Sequence, residues 1–159
     1  MVKQQSMAIR SATPEDINRC CELLTLLFEQ EAEFTPDPEN QKKGLLLILE
    51  NPSSGTVLVY EDNEKGCIAG MVVMLYTIST ALGKKVVLLE DMIVDPVYRS
   101  QGIGSQLLHH AVNLAKNIGS GRITLLTDEN NENAFDFYNK NGFRRSDMVV
   151  FRKIISSTQ

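Results

Sequence analysis

The sequence predicts one mixed α/β domain. Apolar residues recur at helical spacing in four segments, and β-branched or apolar runs bounded by turn residues lie between them. A glycine-spaced turn joins one of those runs to the longest amphipathic segment. With 159 residues, 43% of them hydrophobic, the chain can bury a real core, placed at about residues 7–155.

The first strand is expected at Met7-Ala8-Ile9-Arg10. Thr13-Pro14-Glu15-Asp16 then provides an N-cap, a proline suited to a first helical turn, and acids for the positive end of the helix dipole. Ile17, Leu24, Leu27 and Phe28 carry the apolar stripe of a helix to about Gln30, and Pro36 and Pro38 break the chain before a second helix over 39–50. Three strands follow at 57–60, 67–78 and 85–94, separated by turn-rich segments, which reads as an antiparallel meander. A helix over 102–118, a strand at 123–126, a helix over 133–139 and a strand at 148–155 complete the order. The strand–helix–strand unit across the third helix should be parallel and right-handed.

Composition narrows the function. Acids outnumber bases 20 to 16, and no dense Lys/Arg cluster occurs, so nothing electrostatic points to nucleic acid. The longest apolar stretches, such as 45–49 and 71–75, are too short to span a bilayer, and the N-terminus lacks an apolar signal core. Cys20, Cys21 and Cys67 have no metal-ligand spacing and read as free thiols, which suits a cytoplasmic location. No cluster of His, Cys and carboxylates supports a metal. His109 and His110 are expected to be solvated on their helix; Met71, Met74, Met92 and Met148 are expected to fill core.

Residues 90–105, EDMIVDPVYRSQGIGS, carry the chemistry. An apolar strand with two acids ends at Asp95-Pro96; Arg99-Ser100-Gln101-Gly102-Ile103-Gly104 then leads into a helix. Such a turn lets consecutive backbone N–H groups converge where the helix dipole adds to them, which fits a phosphate or pyrophosphate. Arg99 is a suitable anion partner, although a solvated loop charge is the plainer role. The stretch is not a P-loop, which needs four residues between glycines and then Gly-Lys-Ser/Thr. It is not a dinucleotide fingerprint either, since Leu107 stands where the third glycine belongs.

Val94-Asp95-Pro96-x-Tyr98-Arg99-x-x-Gly102-Ile103-Gly104 resembles the acetyl-CoA-binding motif of the GNAT N-acetyltransferase superfamily, Arg/Gln-x-x-Gly-x-Gly/Ala. Asn131-x-x-Ala134-x-x-Phe137-Tyr138-x-Lys140-x-Gly142-Phe143 is similar to a second block of that family, and Ile9-Arg10-x-Ala12-Thr13-x-x-Asp16 to its opening. The resemblance covers nearly the whole chain. It implies a mostly antiparallel sheet of six to seven strands with about four helices, and acetyl-CoA in a V-shaped splay between strands. It further implies pantetheine pairing with the main chain of Met92, Ile93 and Val94, the main chain of Ile93 facing the oxyanion. The pyrophosphate would lie on amides of Ser100, Gln101, Gly102, Ile103, Gly104 and Ser105, beside Arg99. Asn131 would bond the cofactor arm, and Tyr138 would protonate the leaving thiolate; Ala134, Phe137 and Tyr138 could instead form a packed helix face, but the matching Asn131 and Gly142-Phe143 favour the acid.

The implied reaction is acetyl transfer to an amine. A protonated amine cannot attack a thioester, so a group on the enzyme must accept a proton. Glu90 is the expected base; Asp91 is its support or a substrate contact, with an exposed charge an equal alternative. Segment 79–84 and Glu90-Asp91 are loosely similar to diamine and polyamine acetyltransferases, and Glu29, Glu31 and Glu33 could add negative charge for a cationic small-molecule acceptor. The rival reading is a non-catalytic acetyl-CoA sensor, which needs neither Glu90 nor Tyr138; a nucleotide-binding regulatory domain ranks last. A homodimer through the apolar run Met148-Val149-Val150-Phe151 is expected, unless those residues are ordinary core.

Overall fold

Strand β1 (Met7–Ser11) leads through a short 3-10 turn (Pro14–Asp16) into α1 (Ile17–Gln30) and α2 (Pro38–Leu49). The meander is β2 (Gly55–Asp62), β3 (Cys67–Ser79) and β4 (Lys84–Val94); a second 3-10 turn (Pro96–Tyr98) precedes α3 (Ile103–Asn117), β5 (Ile123–Leu125) and α4 (Glu132–Lys140). The structure, a computed structural model, describes residues 7–156. Within that span the chain forms two compact units, one ending at Asp128 and one beginning at Glu129.

Local chemistry explains the first helix. The Thr13 backbone N–H donates to Asp16 at 2.8 Å, and Thr13 and Asp16 cap the start reciprocally. Arg10 then ties the start of α1 to the sheet: Nη1 pairs with Asp16 at 2.7 Å and Nε with Glu61 on β2 at 2.8 Å. Asp37 caps α2 by accepting from the Asn40 amide at 3.1 Å, with Pro38 in the first turn.

The sheet has the order β1-β2-β3-β4-β5, antiparallel in its first three pairings and parallel between β4 and β5. Alternation divides its faces. Val57, Val59, Met71, Val73 and Ile93 join Ile17, Cys20, Leu23, Leu24 and Leu45 in one core beneath α1 and α2. Leu58, Tyr60, Val72 and Met74 point the other way, where α3 packs across β2, β3 and β4 with Leu107, Leu108 and Ala111 buried. Gly70 permits that approach: a Cβ there would meet a Leu107 methyl at 3.1 Å and the Ile93 carbonyl at 3.0 Å.

Two expectations are corrected. The sheet has five strands among the described residues, not six to seven. Residues 148–155 form no strand, and Met148, Val149, Val150 and Phe151 are exposed, so Met148 fills no core. A strand exists through the ladder to its neighbour, and the unit containing this run holds a helix and no strand among its described residues. No described helix is long and apolar enough to cross a membrane.

Candidate active site

The two acids of the β4 sequence sit on a β-bulge. Leu89 pairs with Met74 and Met92 with Val72, so Glu90 and Asp91 together stand opposite Val73 alone. The bulge breaks the alternation that would otherwise send the acids to opposite faces. Asp91 lines a cavity together with Val73, on the α1–α2 side, while Glu90 is exposed. None of the described hydrogen bonds or ion pairs involves the Asp91 carboxylate.

Charge accumulates here. Burial, then the neighbouring charges of Glu90 and Glu31, push the Asp91 carboxyl up to about 7. Glu31, which ends α1, is also raised, by burial and then by Asp128, Glu90 and Glu33. The acids anticipated near the end of the first helix therefore reach the β4 acids through Glu31.

On its other edge β4 opens. Its parallel pairing with β5 runs from Val87–Ile123 to Leu89–Leu125 and stops, although β4 continues to Val94. Met92, Ile93 and Val94 lie on β4 beyond this last pair. At its end, Asp95 caps the 3-10 turn by accepting from the Val97 amide at 3.0 Å, and Arg19 of α1 pairs with Asp95 at 2.5 Å. Burial would raise the Asp95 carboxyl, but the Val97 amide and the Arg19 guanidinium outweigh it and hold it below the usual range. Arg19 Nε also donates to the Ile68 carbonyl at 3.1 Å, so α1, β3 and the end of β4 are held at one point.

The loop follows. Ser100 has φ 62° and Gly102 φ 78°, both left-handed, and Ser100 is the one non-glycine residue of that kind among those described. Gly102 begins α3 without a side-chain cap, leaving the amide end of the helix to main chain. Alternating left-handed residues ahead of a helix N-terminus turn successive amides toward one side, as an anion-binding nest requires. Arg99 is exposed and its Nε donates to the Val94 carbonyl at 3.2 Å; Ser100, Gln101 and Ser105 are exposed and Ile103 is buried. Tyr98 anchors the loop from beneath: its hydroxyl donates to the buried Asp62 at 3.2 Å and lies 3.0 Å from Cys67 Sγ. With the hydroxyl proton on Asp62, the thiol is the donor to Tyr98.

Asn131 and Tyr138 belong to the second unit. Asn131 is the N-cap of α4, its Oδ1 accepting from the Ala134 amide at 3.0 Å. Tyr138 stacks edge-on with Phe137 at 5.1 Å and with Phe143, beyond the helix, at 5.8 Å. The first unit thus unites Glu90, Asp91, residues 92–94 and the loop from Arg99 to Ser105.

Sequence reasoning missed Arg19, the Asp62–Tyr98–Cys67 group, the bulge and the cavity. Only the cavity left a sequence signal: Gly44, inside an otherwise strong helix, lines it.

Comparison with known proteins identifies the family and the fold. The family model described as "Acetyltransferase (GNAT) family" matches residues 17–143. An uncharacterised N-acetyltransferase of Bacillus subtilis is 31% identical over 140 residues, covering 86% of this chain and 89% of that protein. A thialysine N-epsilon-acetyltransferase of Bos taurus is 33% identical over 72 residues, 45% of this chain and 42% of the cattle protein. The crystal structure of a "possible acetyltransferase" from Clostridium difficile superimposes with TM-score 0.84 at 18% identity, covering 94% of this chain and 98% of that one. The chain belongs to the GNAT acetyltransferase family and is an acyltransferase.

Proposed function

We propose that this protein moves the acetyl group of acetyl-CoA to a primary amine of a small molecule by direct attack within a ternary complex. One feature carries the reading: β4 runs on past its last pair with β5 directly into a loop with two left-handed residues and a helix start that has no side-chain cap. Its residues fit the cofactor. Strand main chain can pair with the amides of a pantetheine arm, and a helix start without a side-chain cap can receive a diphosphate. The thioester supplies an activated acetyl group.

The roles then follow from position. Main-chain groups of Met92, Ile93 and Val94 hold the arm, and an Ile93 main-chain amide serves the oxyanion. Amides from Ser100 to Ser105, with Arg99, hold the diphosphate. The Glu90–Asp91 pair takes the proton of the incoming ammonium, Glu90 from the solvent side and Asp91 from the cavity side. Asn131 and Tyr138, matched by motif, bond the cofactor arm and protonate the departing sulfur. The acids Glu31, Glu90, Asp91 and Asp128 favour a cationic acceptor, of which diamines and polyamines are one class.

Two further parts of the reading rest on the same chain. Cys20, Cys21 and Cys67 are free thiols, in keeping with the reducing cytoplasm. The exposed apolar run from Met148 to Phe151 is suited to pairing two copies, which light scattering would register as a dimer.

Thiol release from acetyl-CoA with a panel of primary amines tests the function. Turnover that falls by about 100-fold in Glu90→Gln or Tyr138→Phe supports it. Tight acetyl-CoA binding with no turnover on any amine, unchanged by either substitution, would instead favour the sensor.

A further inference from the structure

Between α1, α2 and β3 lies a cavity of about 310 Å3. Its wall is largely hydrocarbon: Leu24 and Phe28 from α1, Phe34 from the connection, Leu45 and Ile48 from α2, and Val73 from β3. The rings of Phe28 and Phe34 pack against each other at 5.5 Å between centroids. Asp91 reaches this wall from the bulge.

We propose that this cavity holds the acceptor and selects a primary amine borne on one compact apolar body, an arylalkyl or branched-alkyl amine, with Asp91 as counter-ion and proton acceptor of its ammonium. This rests on the acetyl-transfer reading above and narrows its substrate.

Size is the first argument. Ligand cavities run from roughly 300 to 1,000 Å3, so this one sits at the small end and suits a single ring or a branched chain. Charge is the second. The lining carries two carboxylates, but Asp37 is engaged by its own helix, accepting from the Asn40 amide at 3.1 Å and the Asn40 side chain at 2.8 Å. The Gln41 amide is likewise turned inward, to the Cys21 carbonyl at 2.9 Å and Thr25 at 3.0 Å. Asp91 is left to meet one cation. A second ammonium, as in a diamine, would face leucine, isoleucine and phenylalanine, and an unpaired charge on such a wall is strongly disfavoured.

Gly44 is the third. It lies inside α2 and lines the cavity, yet a Cβ at that position would meet nothing within 4 Å. Neither backbone conformation nor close packing calls for glycine there, and helix propensity opposes it. Gly44 is exposed, so a larger side chain there would enter the open mouth of the cavity.

The step balances without another reactant. The ammonium gives one proton to Asp91, which passes it to water. The freed nitrogen bonds to the acetyl carbonyl carbon, the carbon–sulfur bond breaks, and the second nitrogen proton ends on the CoA sulfur.

Steady-state rates with phenethylamine, isopentylamine, putrescine and spermidine test this, using the full chain, Gly44→Phe and Asp91→Asn, with thermal melts to confirm folding. The apolar amines should exceed the polyamines in kcat/KM by about tenfold or more. Gly44→Phe should raise KM for phenethylamine by about tenfold while leaving calorimetric acetyl-CoA binding intact, and Asp91→Asn should lower kcat by about 100-fold. Polyamines preferred over apolar amines, or a folded Gly44→Phe protein with unchanged KM, would overturn the assignment while acetyl transfer stands. No turnover with any amine would overturn both.

Discussion

The parallel ladder between β4 and β5 ends at the pair Leu89 and Leu125, one residue before Glu90 opens the bulge. Two departures from regular pairing thus fall on adjacent positions of one strand. The ladder to β5 stops short of residues 92–94, and the bulge brings Asp91 to the α1–α2 cavity. A strand regular throughout would not place Asp91 there.

The proposed diphosphate loop is tested at its glycine. Gly102→Val places a β-branched residue at φ 78°, a strain of about 1–2 kcal/mol. Calorimetry should find CoA binding weakened by about tenfold, with far-ultraviolet dichroism unchanged. An affinity equal to that of the parent would detach the left-handed turn from cofactor binding.

Ser100 stores the opposite effect. At φ 62° it lies in a region that glycine enters freely, so Ser100→Gly should relieve about 1 kcal/mol of native strain, offset in part by the added freedom of the unfolded chain. The expected readout is a melting temperature equal to or above the parent's, together with weaker CoA binding as the loop loses rigidity.

Asp91 links stability to pH. Its folded carboxyl holds a proton up to about 7, whereas an aspartate in the unfolded chain releases it near 3.8, so the native state binds more protons between those values. Stability therefore falls as pH rises through that window, under the combined charge of Glu90 and Glu31. Asp91→Asn should raise the melting temperature at about pH 8 and change it little at about pH 3. If Asp91 accepts the ammonium proton as proposed, the parent's acetylation rate should climb across about pH 7 and the variant should lose that limb.

Arg19 acts from a distance. Arg19→Met leaves the part-buried Asp95 without its guanidinium and should cost about 1–2 kcal/mol in urea unfolding. Because the Asp95 carboxyl is lowered in the folded state, its contribution is present above the ordinary carboxylate range and disappears as pH falls through the lowered value. The difference between parent and variant should accordingly shrink on acidification.

Tyr98→Phe removes a buried hydroxyl bonded to Asp62 and Cys67. Asp62 keeps the amides of Glu64 and Lys65, at 3.1 and 3.2 Å, so the loss should stay near 1–2 kcal/mol. A larger effect on acetyl-CoA KM than on unfolding would mark Tyr98 as a support of the cofactor loop.

Much of this was legible in residue order. Thr13-Pro14 and Asp37-Pro38 announce their helices because caps act within a few residues, and the meander follows from short turns between β-branched runs. The glycine loop was equally readable, since positive φ and an uncapped helix start are local properties. The run from Met148 misled for the complementary reason: hydrophobicity is local, but a strand needs an edge to pair with, and none occurs among the described residues of its unit.

Pattern along the chain was thus enough to specify the helices, the meander, the glycine turn before α3 and the acyltransferase family. Packing alone determined that Glu90 and Asp91 share one bulge, that Arg19 clamps Asp95, and that Gly44, Val73 and Asp91 line one cavity. Those relations join residues far apart in the chain, and no spacing rule encodes them. They arise when two helices close on one face of the sheet, and that closure also lifts the Asp91 carboxyl toward neutrality.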